Sequence, residues 1–254
     1  MRILKFLPAA AICVFLFAAI PSAHAQKPSE DEQILFDSAN RERAAHSLPA
    51  LHWDETLARA ARAHAHRMAF YNLVEHQLSG EPGLQIRLTE AGARFGAFAE
   101  NIAVASSAET IHAGWMNSPG HRRNILNPNL NAIGIAAVRG SGGLFAVQDF
   151  SQQVVAMSLG EQEKKVISLM TARGMHKVTA SDDARKTCEM ESGISVSELR
   201  SVQAIRFETS DLSKLPDEVE RKLRGLVFQT AAVGACKTGS APGFAHYRIA
   251  ILIF

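Results

Sequence analysis

The fourteen residues Trp115-Met116-Asn117-Ser118-Pro119-Gly120-His121-Arg122-Arg123-Asn124-Ile125-Leu126-Asn127-Pro128 put an aromatic anchor, a proline, a glycine, a histidine and two arginines into one short run. The pattern leading into it predicts a helix over Ala108–Asn117, stopped by Ser118-Pro119-Gly120, which reads as a turn. Trp115 reads as a buried aromatic whose indole N–H needs one acceptor. Asn124 and Asn127 suit local backbone bonding ahead of Pro128. Arg122 is expected to pair with an acidic neighbour such as Glu100 or with a carbonyl. Most of the stretch is therefore a corner. His121 is the member hardest to assign to architecture, because an unperturbed imidazole titrates near neutrality.

Upstream, Ser29 followed by Glu32 is a capping-box signature. The helix it starts carries Ile34, Leu35, Ala39, Ala44 and Ala45 and is stopped by Pro49. A second helix opens at Asp54, where Leu57, Ala60, Ala61, His64, Ala65 and Met68 fall on one face at three- and four-residue steps. That spacing makes His64 a packed core histidine, while His66 points elsewhere. From Leu73 to Ala99 glycines and Pro82 loosen the pattern, leaving one short helix near Gln85–Ala91 in a long loop. Strands are predicted at Ile133–Val138 and Leu144–Phe150, joined by the glycine-rich connection Arg139–Gly143. No phosphate cradle is read there, since a strand and not a helix follows.

Beyond Gln153 the character changes. Helices are predicted at Gly160–Gly174, Ser181–Met190 and Pro216–Arg224, and strands at Ser201–Thr209, Leu226–Ala235 and Tyr247–Phe254. The boundary falls near residues 153–162, giving a first domain over 30–153 and a small α+β domain over 162–254. No internal repeat or low-complexity tract is visible.

The N-terminus reads as a secretory signal peptide over residues 1–25: Arg2 and Lys5, an apolar run from Phe6 to Ile20, then small residues at the cleavage positions ending in Ala25. The apolar run is shorter than the ~20 residues needed to span a bilayer, so the mature chain is expected to have no membrane span. Cleavage removes two of the 27 basic residues, leaving 25 against 25 acidic ones. The mature chain is formally neutral, and no nucleic-acid partner is expected. Its two cysteines, Cys188 and Cys236, are expected to pair in an oxidising compartment, secreted or periplasmic; buried free thiols are the alternative.

Four pieces of residues 34–152 belong together: Leu48-Pro49-Ala50-Leu51-His52-Trp53-Asp54; Val74-Glu75-His76; Ala99-Glu100-Asn101-Ile102-Ala103; and Trp115–Arg122 with Asn124-Ile125-Leu126. In this order and spacing they resemble the bacterial SCP-like branch of the CAP superfamily (cysteine-rich secretory proteins, antigen 5, pathogenesis-related proteins). The resemblance implies an α-β-α three-layer sandwich around a central antiparallel sheet, with a cleft lined by histidines and acidic residues. His76 matches the family's first histidine and Glu100 the glutamate before asparagine. The chain departs from the family at Ser118, where eukaryotic relatives have glutamate, and at Gly143-Leu144-Phe145, where they carry a histidine.

The cleft candidates are thus His76, Glu100, Asn101, Ser118, His121 and Arg122. A divalent metal such as zinc would need three or four ligands, which only His76, Glu100 and His121 could supply. The alternative is a His76–Glu100 hydrogen-bonded pair that pins the long loop. Nucleophilic catalysis has little support, because no Gly-x-Ser-x-Gly elbow occurs and neither mature cysteine lies in the first domain. These readings favour a non-enzymatic binding module for a small apolar ligand, a peptide or an envelope component. A metal-dependent hydrolase of peptide or envelope polymer and a structural scaffold are the competing readings.

Overall fold

The computed structural model describes residues 27–197, 203–224, 230–239 and 241–254. The expected signal peptide and its cleavage point after Ala25 lie outside these residues, as do positions 201–202 and 226–229 of two predicted strands. Helix α1 (Glu30–Ala45) begins at the capping box: Ser29 N–H donates to the Glu32 carboxylate at 2.8 Å and Glu32 N–H to Ser29 Oγ at 3.3 Å. After β1 (His52–Trp53), helix α2 (Glu55–Tyr71) is capped by Asp54, whose carboxylate accepts from the N–H groups of Thr56 and Leu57 at 2.7 and 3.1 Å. Asn72 ends it in the left-handed conformation, φ 52°. There follow α3 (Leu84–Glu90), β2 (Phe95–Ala105), α4 (Ala108–Asn117), α5 (Pro119–Ile125), β3 (Ala132–Gly140) and β4 (Gly143–Gln153).

The first sheet has the order β1-β3-β4-β2. Every pairing is antiparallel except the short edge pair β1 and β3, so the sheet is mixed rather than wholly antiparallel. Its layers follow from strand alternation. Ile133 and Ile135 of β3 and Phe150 of β4 pack with Leu35, Ala39, Ile111 and Trp115 of α1 and α4. Ala136 and Val147 face the other way, against Ala61, Ala65 and Met68 of α2. Gly134 sets how closely α2 lies on the sheet: a Cβ there would stand 2.0 Å from the Ala58 nitrogen.

The second unit contains α6 (Leu159–Ala172), β5 (Lys177–Ala180), α7 (Asp182–Glu189), β6 (Gln203–Thr209), α8 (Asp217–Leu223), β7 (Thr230–Cys236) and β8 (Tyr247–Ile253). Its sheet has the order β5-β7-β8-β6. Cys188 and Cys236 form a disulfide with their Cα atoms 5.7 Å apart, as the sequence led us to expect. The two units meet at the start of β2, where Phe95 N–H donates to Gly243 O at 3.0 Å and Ala245 N–H to Phe95 O at 2.9 Å. There the Phe95 ring meets those of Phe98 and Phe244 edge-on at 5.1 Å.

Three further features of the first unit differ from the sequence expectations. Strand β2 replaces the end of the supposed long loop. Pro119-Gly120 is not a turn but the first turn of α5; proline's fixed φ suits the first helical position, where its missing N–H costs nothing. The connection from β3 to β4 is tighter than expected, because Gly140 pairs with Gly143 and leaves a two-residue loop.

Candidate functional site

Strand β2 delivers Glu100 to the face of the sheet covered by α2, and there the chain buries an unusual group of charges. The Glu100 carboxylate is 2% exposed. One of its oxygens accepts from the His76 ring at Nδ1, 2.8 Å away. The other meets the Arg87 guanidinium of α3 in a short charge-assisted hydrogen bond. Arg87 also donates to the His76 carbonyl at 2.9 Å and stands 3.5 Å from the Glu81 carboxylate. Glu81 in turn holds His64, whose Nδ1 lies 2.9 Å from it. His64 is fully buried, as its place on the apolar face of α2 required. Its Nε2 has no hydrogen-bond partner and lies 3.9 Å from Glu100.

Asp149 of β4 stands opposite Glu100 in the strand register and is fully buried. Neither of its oxygens receives an N–H or O–H from another residue. Burial, and next the Glu100 charge, push its carboxyl well above the ordinary carboxylate range. The shift lies in the direction that avoids holding two buried negative charges side by side. Glu100 is the carboxylate that both His76 and Arg87 address.

The His76 imidazole, 62% exposed, is held by Nδ1 and presents its other edge to solvent. The hydrogen bond to Glu100 raises its pKa above the usual histidine value. His121 shifts the other way: burial lowers it first, and the neighbouring His76 charge adds to the effect. The structure thus joins His76 to Glu100 and sets His121 near enough for the His76 charge to act on it.

The remaining candidates have other work. Asn101 is fully buried on the opposite face, where its amide donates to His121 O and Gln148 Oε1, both at 3.2 Å. Asn124 donates to Asn101 Oδ1 at 2.9 Å and to Glu100 O at 3.2 Å, a long-range tie rather than the local bond expected of it. Together the two asparagines fasten α5, and with it His121, to β2. Trp115 donates from its indole N–H to Ile102 O at 3.2 Å. Ser118 occupies the N-cap position of α5 without a side-chain capping bond. Arg122 is exposed and is not the partner of Glu100; with Arg123, Met116 and Leu126 it borders a separate hollow of about 590 Å³. The guanidinium that meets Glu100 comes from Arg87 of α3, which packs against α2.

Sequence reading missed Arg87, Glu81 and Asp149. Asp149 carried a usable signal, a carboxylate inside the otherwise apolar strand Leu144–Phe150. The donor set does not fit the zinc ion considered for His76, Glu100 and His121. Both Glu100 oxygens are engaged by His76 and Arg87, and among the described residues no three His, Cys, Asp or Glu side chains are grouped to hold a metal.

Residues 36–150 match the profile of the cysteine-rich secretory protein family, CAP. The chain is 36% identical over 118 residues to the uncharacterized protein YkwD of Bacillus subtilis, a match that covers 46% of each chain. It is 33% identical over 112 residues to the uncharacterized membrane protein YlbC of the same organism, covering 44% of this chain and 32% of the relative. The chain thus spans less than half the length of either relative. Among solved structures, an outer surface protein of Borrelia burgdorferi aligns with a TM-score of 0.46 at 23% identity, covering 51% of this chain and 98% of that one. An extracellular protein containing an SCP domain from Bacillus anthracis aligns with a TM-score of 0.43 at 33% identity, covering 48% and 40%.

Proposed function

Residues 36–150 belong to the cysteine-rich secretory protein (CAP) family, and on that premise we propose that the protein is an exported, non-enzymatic binding module for an amphipathic ligand. The observation that carries this reading is the segment leaving α2. Phe70, Tyr71, Leu73 and Val74 are all exposed, Phe70 by 82%, and they lead directly to the exposed ring of His76. A run of solvent-facing apolar side chains beside a fixed polar group is what a ligand with an apolar body and a polar or anionic head requires.

The charges behind His76 support binding rather than turnover. Glu100 orients the ring and favours its protonated form, which attracts an anionic head. Its own two oxygens are committed to His76 and Arg87, so it is badly placed to activate water. Export is supported by the N-terminal apolar segment and by the Cys188–Cys236 disulfide, which persists in oxidising compartments. No helix among the described residues is long and apolar enough to cross a membrane.

The test is a thermal-shift and native mass-spectrometry screen with fatty acids, sterols and cell-envelope fragments. We expect at least one amphipathic compound to stabilise the protein, and both Phe70→Ser with Leu73→Ser and His76→Ala to abolish the shift. No stabilisation by any of them, or stabilisation that survives both variants, would refute the proposal.

A further inference from the structure

We infer that residues 158–254 are a second, shortened copy of the fold built by residues 29–153, a copy in which a disulfide stands where the first has two alanines and an arginine where the first has Glu100. No sequence periodicity announces this. It rests on a set of coincidences in topology and register that have no reason to recur together in unrelated folds.

The element order is the first. Both units run helix, strand, helix, strand, helix, strand, strand, once α3 and α5 are set aside as additions to the first. The sheet orders β1-β3-β4-β2 and β5-β7-β8-β6 are one order shifted by four strands. In each, the first pairing is parallel and the other two are antiparallel. Each opening helix starts with a capping box, Ser29 with Glu32 and Ser158 with Glu161.

The register then aligns single residues. Gly134 of β3 and Gly234 of β7 each lie under the first turn of a helix. A Cβ on Gly134 would meet the nitrogen of Ala58, four residues past the cap Asp54, at 2.0 Å; on Gly234 it would meet the nitrogen of Arg185, four past the cap Ser181, at 2.1 Å. The caps make the same backbone bond: Asp54 N–H donates to Ile133 O at 2.9 Å and Ser181 N–H to Val233 O at 3.2 Å. The faces agree as well. Val233 and Ala235 pack with α6 and α8 as Ile133 and Ile135 pack with α1 and α4. Ala232 and Cys236 face α7, as Ala136 faces α2.

This correspondence gives every site position a counterpart. The cross-strand row Gly134–Asp149–Glu100 becomes Gly234–Ala250–Arg206. Both buried carboxyls are gone. Arg206 donates instead to the carbonyls of Thr187 and Gly193, so the second copy cannot anchor a histidine as Glu100 anchors His76. Cys188, seven residues past its cap, falls where Ala61 lies seven past Asp54. Cys236, two past Gly234, falls where Ala136 lies two past Gly134. The smaller copy, with its shorter helix α7, fastens that helix covalently where the larger one relies on packing. Even the outlet is repeated: Met190, Ile194 and Val196 are exposed after α7 as Leu73 and Val74 are after α2.

The duplication predicts that the two packed alanines of the first unit can be cross-linked. The double variant Ala61→Cys with Ala136→Cys, made in the full chain and exported to an oxidising compartment, should form a second disulfide, read as two introduced thiols that resist alkylation until a reductant is added. Its melting temperature should exceed that of the single variant Ala61→Cys, which keeps Cys188–Cys236 but cannot form the second bridge. Two introduced thiols that alkylate freely in a folded protein would overturn the inference. Should the variant not fold, an experimental structure of the unaltered protein decides: superposing the two sheets through Gly134 and Gly234 must bring α2 onto α7 and α4 onto α8, and helices arriving on opposite faces would end the proposal.

Discussion

Replacing Arg87 by leucine tests whether the guanidinium holds the buried charges together. The substitution leaves the hydrocarbon of the side chain roughly in place but takes the guanidinium from Glu100 and Glu81, whose side chains are 2% and 3% exposed and keep only the His76 and His64 rings as partners among those described for the network. It also deletes the hydrogen bond to the His76 carbonyl. Removing one partner of a buried ion pair costs about 3–5 kcal/mol, because the other charge stays buried without compensation. For a chain of this size each kcal/mol lowers the melting temperature by about 2–4 °C, so the expected fall is about 6–20 °C. Circular-dichroism melts at neutral pH read it directly. Pairing the change with Glu100→Gln supplies the control, since removing the anion as well should recover part of the loss and the two effects should fall short of their sum. An Arg87→Leu protein that melts within about 2 °C of the wild type, or costs that add without coupling, would mean that solvent already satisfies Glu100 and that the network as described is wrong.

Three further outcomes follow from the same geometry. In NMR titrations His76 should titrate above the ordinary histidine pKa and His121 below it, and Glu100→Gln should lower the His76 value; a His76 that stays put would remove Glu100 as its anchor. A raised histidine contributes stability that is present below its unfolded pKa of ~6.5 and fades as pH rises through the folded value, whereas the lowered His121 contributes with the opposite sign. Asp149 has a raised folded pKa, so its contribution is full below its unfolded value of ~3.9 and is lost as pH rises; Asp149→Asn should therefore gain on the wild type steadily from acid to alkaline pH, and parallel stability curves would show that Asp149 is ionised. Reducing Cys188–Cys236, which closes a loop with a separation of 48 residues, should cost the second unit about 4 kcal/mol, and a urea midpoint indifferent to reductant would contradict that.

What could be read from the sequence, and what could not, divides along a physical line. Helices α1, α2 and α4 were legible because their caps and apolar steps are local: Ser29 and Asp54 name the first residue of a helix without reference to anything distant. Strand β2 was not, because its alternation is broken by Gly96 and by Glu100-Asn101, two polar residues buried on opposite faces. A strand that spends core positions on charge looks like a loop until its partners are known, and conflicts of that kind concentrate at sites built for something other than stability. His76, Glu100 and His121 were named through motif spacing, and the same reading offered Glu100, or a carbonyl, as the partner of Arg122. Arg87, thirteen residues ahead of Glu100, took that place because contact depends on which face of the sheet a helix covers, a fact that sequence separation does not carry. The second copy was hidden for the same reason. Its evidence is held in strand register and in two glycines beneath helix starts, and those are relations across the sheet rather than along the chain. Gly234 differs from any other glycine in the sequence only through Arg185, about fifty positions earlier, so the fold can repeat where the composition does not.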